Sequence, residues 1–139
     1  MKLIKVHHIA LIVSNYNDSK HFYTQILGLK IIKETFRAER NSYKLDLALH
    51  DNYIIELFSF PEYVERPSYP EALGLRHLAF EVDNIEQAAQ ELQAKNIPTQ
   101  AIRIDEITGK KFFFFADPDG NTLELSYGQR VGITAIQAK

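Results

Sequence analysis

An α+β fold made of two βαβββ modules is the expectation for this chain, and three observations lead to it. The first is an internal repeat. His8-Ile9-Ala10-Leu11-Ile12-Val13-Ser14-Asn15 aligns with His77-Leu78-Ala79-Phe80-Glu81-Val82-Asp83-Asn84, with His, Ala, Val and Asn matching at a constant offset of 69 residues. The second is that each copy closes on a strand-like run carrying one carboxylate, Ile54-Ile55-Glu56-Leu57 and then Thr122-Leu123-Glu124-Leu125. The third is the order of patterns within each half: one apolar strand, one helical stripe, then three strands.

Taken in order, residues 6–13 are rich in Val, Ile and Leu and read as a strand. Asp18 and Ser19 are good helix N-caps, Phe22, Ile26 and Leu27 give the following helix an apolar face, and Gly28 is placed to stop it. Strands follow at about 29–38, 43–49 and 53–59, the last two joined by a turn at Asp51-Asn52. The segment 60–75 holds Pro61, Pro67 and Pro70, has no periodicity, and reads as the connection between modules. The second module opens with a strand over 76–83. Asn84 and Gln87 resemble a capping box, and Ile85, Ala88, Ala89 and Leu92 fall on one helical stripe that Asn96 and Pro98 end. Strands at about 100–107, 111–116 and 121–126 complete it, with Asp117-Pro118-Asp119-Gly120 as the last turn. The tail 128–139 has no counterpart in the first half.

At 139 residues the chain is expected to be a single domain over 1–139, with modules at about 5–59 and 76–127. The net charge of −2 gives no electrostatic case for nucleic acid or an anionic membrane. The chain has no Cys, which rules out disulfides, thiolate metal sites and a Cys nucleophile. No run of 18 apolar residues occurs and no signal-peptide core opens the chain, so a cytoplasmic location is expected.

Strand alternation places His8, Ala10 and Ile12 on one face, together with Ile54, Glu56, Phe58 and Phe60 from a later strand. His77, Ala79 and Glu81 share a face in the second module, as do Thr122, Glu124 and Ser126. A single Glu between apolar strand neighbours is ordinarily just the solvent face. Two His and two Glu at matching positions of a repeat, with His-to-Glu spacings of 48 and 47 residues, instead suggest one metal site on a pseudo-two-fold axis. That donor set suits a borderline divalent ion. His7 is expected on the opposite face from His8, His21 on the solvated side of a helix, and His50 in a turn. The run Phe112–Phe115 must send two rings to each side of its sheet.

These residues resemble the glyoxalase I / vicinal oxygen chelate superfamily over about 5–127. The landmarks are His8, Phe22-Tyr23, Leu27-Gly28, Ile55-Glu56-Leu57, Leu75-Arg76-His77-Leu78-Ala79, Asp117-Pro118-Asp119-Gly120 and Leu123-Glu124-Leu125. Ile55-Glu56-Leu57-Phe58-Ser59-Phe60-Pro61 and Glu65-Arg66-Pro67 further resemble a bacterial glyoxalase-like branch. The resemblance implies mixed sheets curling into a barrel around a divalent metal held by His8, Glu56, His77 and Glu124. Nickel, cobalt or zinc would be the ion, with manganese or iron as alternatives. It also implies lyase or isomerase chemistry on a small carbonyl or hemithioacetal substrate, by proton transfer through an enediolate, with Glu124 and Glu56 as the base candidates. Fosfomycin-modifying enzymes and extradiol dioxygenases of that superfamily use three ligands; Glu56 is the fourth that sets this chain on the glyoxalase side.

Ile12 stands where glutathione-using relatives carry an Arg, and Phe60 replaces a polar residue, so glutathione specificity is not expected. Arg37, Arg40, Arg66, Arg103 and Lys111 are the cations that could meet an anionic substrate, and Glu81 is expected to pair with Arg76 or Arg103. Another metalloenzyme of the scaffold (a dioxygenase, epimerase or thiol transferase) and a non-catalytic small-molecule-binding protein are the alternatives. A homodimer is expected, and the metal site could lie within one chain or be shared across the two.

Overall fold

The computed structural model of the protein describes residues 1–67 and 69–128, so the tail beyond 128 lies outside the described residues. The chain divides into two compact units. The first is Met1–Ala72 with Asp117–Asp119; the second is Leu73–Ala116 with the described residues 120–128.

The first unit runs β1 (Ile9–Val13), α1 (Tyr16–His21) continuing into a π-helical turn (Phe22–Ile26), β2 (Lys30–Arg37), β3 (Ser42–Leu49) and β4 (Asn52–Ser59). Its sheet has the order β1-β4-β3-β2, with β1 parallel to β4 and the other pairs antiparallel. The second unit repeats the plan with β5 (Leu78–Val82), α2 (Ile85–Ala94), β6 (Arg103–Ile104), β7 (Lys111–Ala116) and β8 (Thr122–Tyr127), in the order β5-β8-β7-β6. Each sheet is open, ending at β1 and β2 or at β5 and β6. Neither four-stranded sheet closes into a barrel by itself, since four strands are too few to curl round and pair edge to edge. Among the described residues no helix is long and apolar enough to cross a membrane.

Period-two alternation assigns the faces. Val13, Leu45, Leu47, Ile55 and Leu57 are fully buried, and they pack with Phe22 and Tyr23 of the helical segment in the first core. In the second unit Ile85, Ala89 and Leu92 from the helical stripe are buried, with Phe113, Phe115, Leu123 and Leu125 from the sheet. Phe112 and Phe114, the other two rings of the run, are half-buried on the opposite face.

Several boundaries differ from expectation. β1 begins at Ile9, not residue 6; as an edge strand with one neighbour it is held only where its ladder with β4 runs, from Ile9 opposite Ile55 to Val13 opposite Ser59. The cap of α1 is Asn15, not Asp18 or Ser19: its side-chain oxygen accepts from the Asp18 N–H at 3.1 Å. Asp18 thereby falls in the first turn, where a carboxylate suits the helix dipole, and Ser19 is buried. Asn84 caps α2 in the same way, accepting from the Gln87 N–H at 3.0 Å. Only half of the capping box forms, since the Gln87 amide donates to Glu91 at 3.3 Å. Both caps are thus the Asn of the repeat. Asn15→Ala and Asn84→Ala should each cost about 1 kcal/mol in chemical denaturation.

Gly28 has φ +80°, a left-handed conformation that lets the chain leave the π-helical turn. The β3–β4 turn is His50-Asp51, one residue earlier than expected, with His50 at φ +55°. The strand expected over 100–107 shrinks to Arg103–Ile104. Asp105 stops it: its carboxylate accepts from the N–H groups of Ile107 at 2.8 Å and Thr108 at 2.9 Å, drawing the backbone into a turn instead of a ladder.

The segment Asp117–Asp119 packs within the first unit. The buried Tyr23 hydroxyl donates to Asp117 Oδ2 at 2.7 Å, and the Ser14 N–H and hydroxyl donate to Asp119. Burial, reinforced by the Asp117 charge, holds the Tyr23 phenol far above its ordinary range, so it remains a donor.

Candidate metal centre

In the first unit the parallel β1–β4 register sets Ala10 opposite Glu56; in the second, β5–β8 sets Ala79 opposite Glu124. The small Ala of each repeat leaves the neighbouring carboxylate uncrowded. His8 and His77 come immediately before β1 and β5 and reach the same glutamates. His8 Nε2 lies 3.8 Å from Glu56 Oε2, and His77 Nε2 lies 3.4 Å from Glu124 Oε1. The structure therefore pairs the expected ligands within each unit, His8 with Glu56 in the first and His77 with Glu124 in the second. Among the described residues no group of three or more His, Cys, Asp or Glu is placed to hold a metal ion.

Imidazole nitrogen and carboxylate oxygen are both donors that suit a borderline divalent ion. Two donors with bonds of about 2.1 Å to one ion stand about 3–3.5 Å apart; the His77–Glu124 pair at 3.4 Å falls in that range, and the His8–Glu56 pair at 3.8 Å is wider than it. On its other side the His8 Nδ1 meets His7 Nδ1 at 2.8 Å. One of the two rings must donate in that contact, and a His8 that donates from Nδ1 would keep its Nε2 lone pair for a metal. His7 is therefore not on the opposite face, as alternation suggested. Both histidines precede β1, where no pleat governs direction, and both rings pack on Tyr53, with centroids 5.3 and 5.1 Å away.

Three residues around Glu56 escaped the sequence reading. The Tyr53 hydroxyl lies 2.8 Å from Glu56 Oε2 and 2.5 Å from Asp46 Oδ1. The Lys44 ammonium stands 3.5 Å from Glu56 and 3.7 Å from Asp46. Burial first, then the hydrogen bonds and charges of the two carboxylates, hold the Tyr53 phenol above its ordinary range. The alternation Lys44-Leu45-Asp46-Leu47 carried the signal, because the short β3–β4 turn places Asp46 directly across from Glu56.

Glu124 has different company. It accepts from the Ser126 hydroxyl, and Phe114 stands across the ladder from it. The His77 ring meets Phe114 edge-on at 5.4 Å, and the Arg103 guanidinium lies over the same ring at 5.5 Å. At the two register positions where the first unit has Asp46 and Lys44, the second has Phe114 and Phe112.

The remaining candidates separate by location. Phe58 and Phe60 stack at 5.9 Å, and Arg37 covers both while donating to Ser42 Oγ at 2.8 Å. Ile12 is 56% exposed. Arg40 and Arg66 are exposed, as is His21, and Lys111 pairs with Glu86. Glu81 is exposed and does not pair with Arg103, which donates to Gln100 at 2.9 Å and lies over the Phe114 ring.

Residues 5–125 match the model of the Glyoxalase/Bleomycin resistance protein/Dioxygenase superfamily. Uncharacterized protein YwkD of Bacillus subtilis (strain 168) is 57% identical over 125 residues, covering 90% of this chain and 98% of that one. The crystal structure of a glyoxalase family protein from Enterococcus faecalis superposes with a TM-score of 0.82 at 48% identity, covering 88% of this chain and 96% of that one. A metallothiol transferase, FosB of Staphylococcus saprophyticus, is 30% identical, covering 88% of this chain and 76% of that one. Lactoylglutathione lyase of Schizosaccharomyces pombe is 26% identical, covering 90% of this chain and 48% of that one.

Proposed function

The chain belongs to the Glyoxalase/Bleomycin resistance protein/Dioxygenase superfamily, and from that premise we propose that it is a divalent-metal-dependent lyase or isomerase of the glyoxalase I type. Its ligands would be His8, Glu56, His77 and Glu124, the two His/Glu pairs serving one ion in a homodimeric protein. The observation that carries this reading is the duplicated geometry: each unit sets one imidazole nitrogen 3.4–3.8 Å from one glutamate oxygen, beside an alanine.

A divalent ion bound there would polarise a substrate carbonyl and stabilise negative charge on its oxygen. The chain's own task is then to move a proton between the two carbons of a small carbonyl or hemithioacetal substrate. Glu124 is the better placed base. Its carboxylate is held by one hydroxyl, whereas Tyr53 and Lys44 tie Glu56 in place. The histidines would remain as ligands throughout, and Phe114, across the ladder from Glu124, would give that side of the site an apolar wall. The exposed Ile12 offers no charge to the carboxylates of glutathione, so the thiol partner, if any, is a different one.

A second reading, a metal-dependent thiol transferase, draws on the 30% identity to a metallothiol transferase. Elemental analysis of the purified protein tests the common ground. About one transition-metal ion per four-ligand site is expected, lost in both Glu56→Ala and His77→Ala. Nickel, cobalt or zinc supports the isomerase, and iron with oxygen uptake supports a dioxygenase. No metal after reconstitution would overturn the enzyme reading in favour of a binding protein. Assays of thioester formation from hemithioacetals, against thiol addition to an epoxide, separate the first reading from the second.

A further inference from the structure

We propose that Tyr53, braced by Asp46, is a positioning residue for the Glu56 carboxylate, and that Lys44 is the counter-charge that holds this cluster together when no metal is bound. The inference rests on the metal reading above and concerns only the first unit.

Three observations carry it. Asp46 stands directly across the β3–β4 ladder from Glu56. Like charges at such a pair repel, and nothing in the fold demands the arrangement, since the second unit has Phe114 at the equivalent place. The two carboxylates therefore need a shared partner, and Tyr53 and Lys44 both touch both of them.

The second observation is a break in register. The β3–β4 pairing shifts between Leu47 and Ala48, so that Ile55 opposes Leu47 but Tyr53 opposes Ala48. Without that bulge, simple alternation would send the side chains at 53 and 56 to opposite faces. With it, the Tyr53 ring turns to the Glu56 face, a re-aiming that bulges perform near functional sites.

The third is a count of protons. One phenol proton faces two carboxylates, and the shorter contact is to Asp46, 2.5 Å against 2.8 Å. Asp46 anchors the hydroxyl, and the anchored hydroxyl limits where Glu56 can swing. The same ring stacks on His8 at 5.1 Å, so one side chain orients both first-unit ligands. Lys44 sits farther off, at 3.5 and 3.7 Å, and is partly exposed, as befits a counter-ion that an arriving cation would displace.

The test is titration of the metal-free full-length protein with Co2+, followed by calorimetry and visible absorption. Tyr53→Phe should weaken Co2+ binding by about 10–100-fold and alter the ligand-field spectrum, as loss of a ligand's supporting partner does. Asp46→Asn should shift both readouts the same way. Lys44→Met should tighten binding, an opposite sign that general damage to the fold would not produce. Unchanged affinity and spectrum in Tyr53→Phe, with the parent binding Co2+ tightly, would overturn this inference and leave the metal reading standing. Failure of the parent to bind would overturn the metal reading, and this inference with it. Should Tyr53→Phe not fold, Asp46→Asn decides alone.

Discussion

Replacing Glu124 with Gln is expected to slow proton transfer by the metal-loaded protein by about 10²–10⁴-fold, the usual worth of a positioned general base. The substitution keeps the size and the carbonyl oxygen of the side chain but removes its capacity to take a proton. Ser126 can still donate to that oxygen, so the local geometry should persist. Exchange of the carbon-bound proton of a small hydroxyketone in D2O, followed by NMR, measures the step directly and needs no knowledge of the natural substrate. Glu56→Gln should act differently. Its carboxylate is already engaged by Tyr53 and Lys44, so the expected loss is in metal occupancy, recovered at higher metal concentration. A Glu124→Gln protein that exchanges as fast as its parent would transfer the base role to Glu56.

The largest effect on stability is expected from Phe113→Ala, about 3–5 kcal/mol. Phe113 is fully buried in the second unit, with Phe115 6.0 Å away between ring centroids and Ile85, Leu92 and Leu123 among the core residues of the same unit. A loss of that size is a large part of the total of about 5–15 kcal/mol available to a domain. Phe112→Ala, one residue away on the half-buried face, should cost far less. Urea unfolding of the two variants makes the comparison, with an unchanged m-value showing that the native state, not the unfolded one, is affected.

Residues whose behaviour depends on near neighbours were legible in the chain alone. The repeat announced the two βαβββ units, and alternation assigned Ile55 and Leu57 to the core and Glu56 to the other face. The same logic separated Phe113 and Phe115 from Phe112 and Phe114. What escaped depended on competition between local and long-range bonding. The Asp105 side chain captured backbone donors that a strand would have used. Asn15 took the cap from Asp18, although both are good capping residues, because the helix begins where the β1 ladder ends. Tyr53 was invisible for a different reason. Its direction is set by a bulge, and a one-residue slip in register reverses every inference drawn from alternation. Lys44 and Asp46 were missed with it, since their relation to Glu56 exists only once β3 and β4 are paired.

The hydrogen bonds of Tyr23 and Ser14 to Asp117 and Asp119 carry a consequence for how such a chain could be divided or rebuilt. A gene cut after Ala72 would encode every strand of the first sheet yet omit the acceptor for a fully buried phenol. The two halves follow one pattern, but they are not interchangeable parts: the later one carries a short segment that completes the earlier one. A first half made alone would need another acceptor for the Tyr23 hydroxyl in place of Asp117.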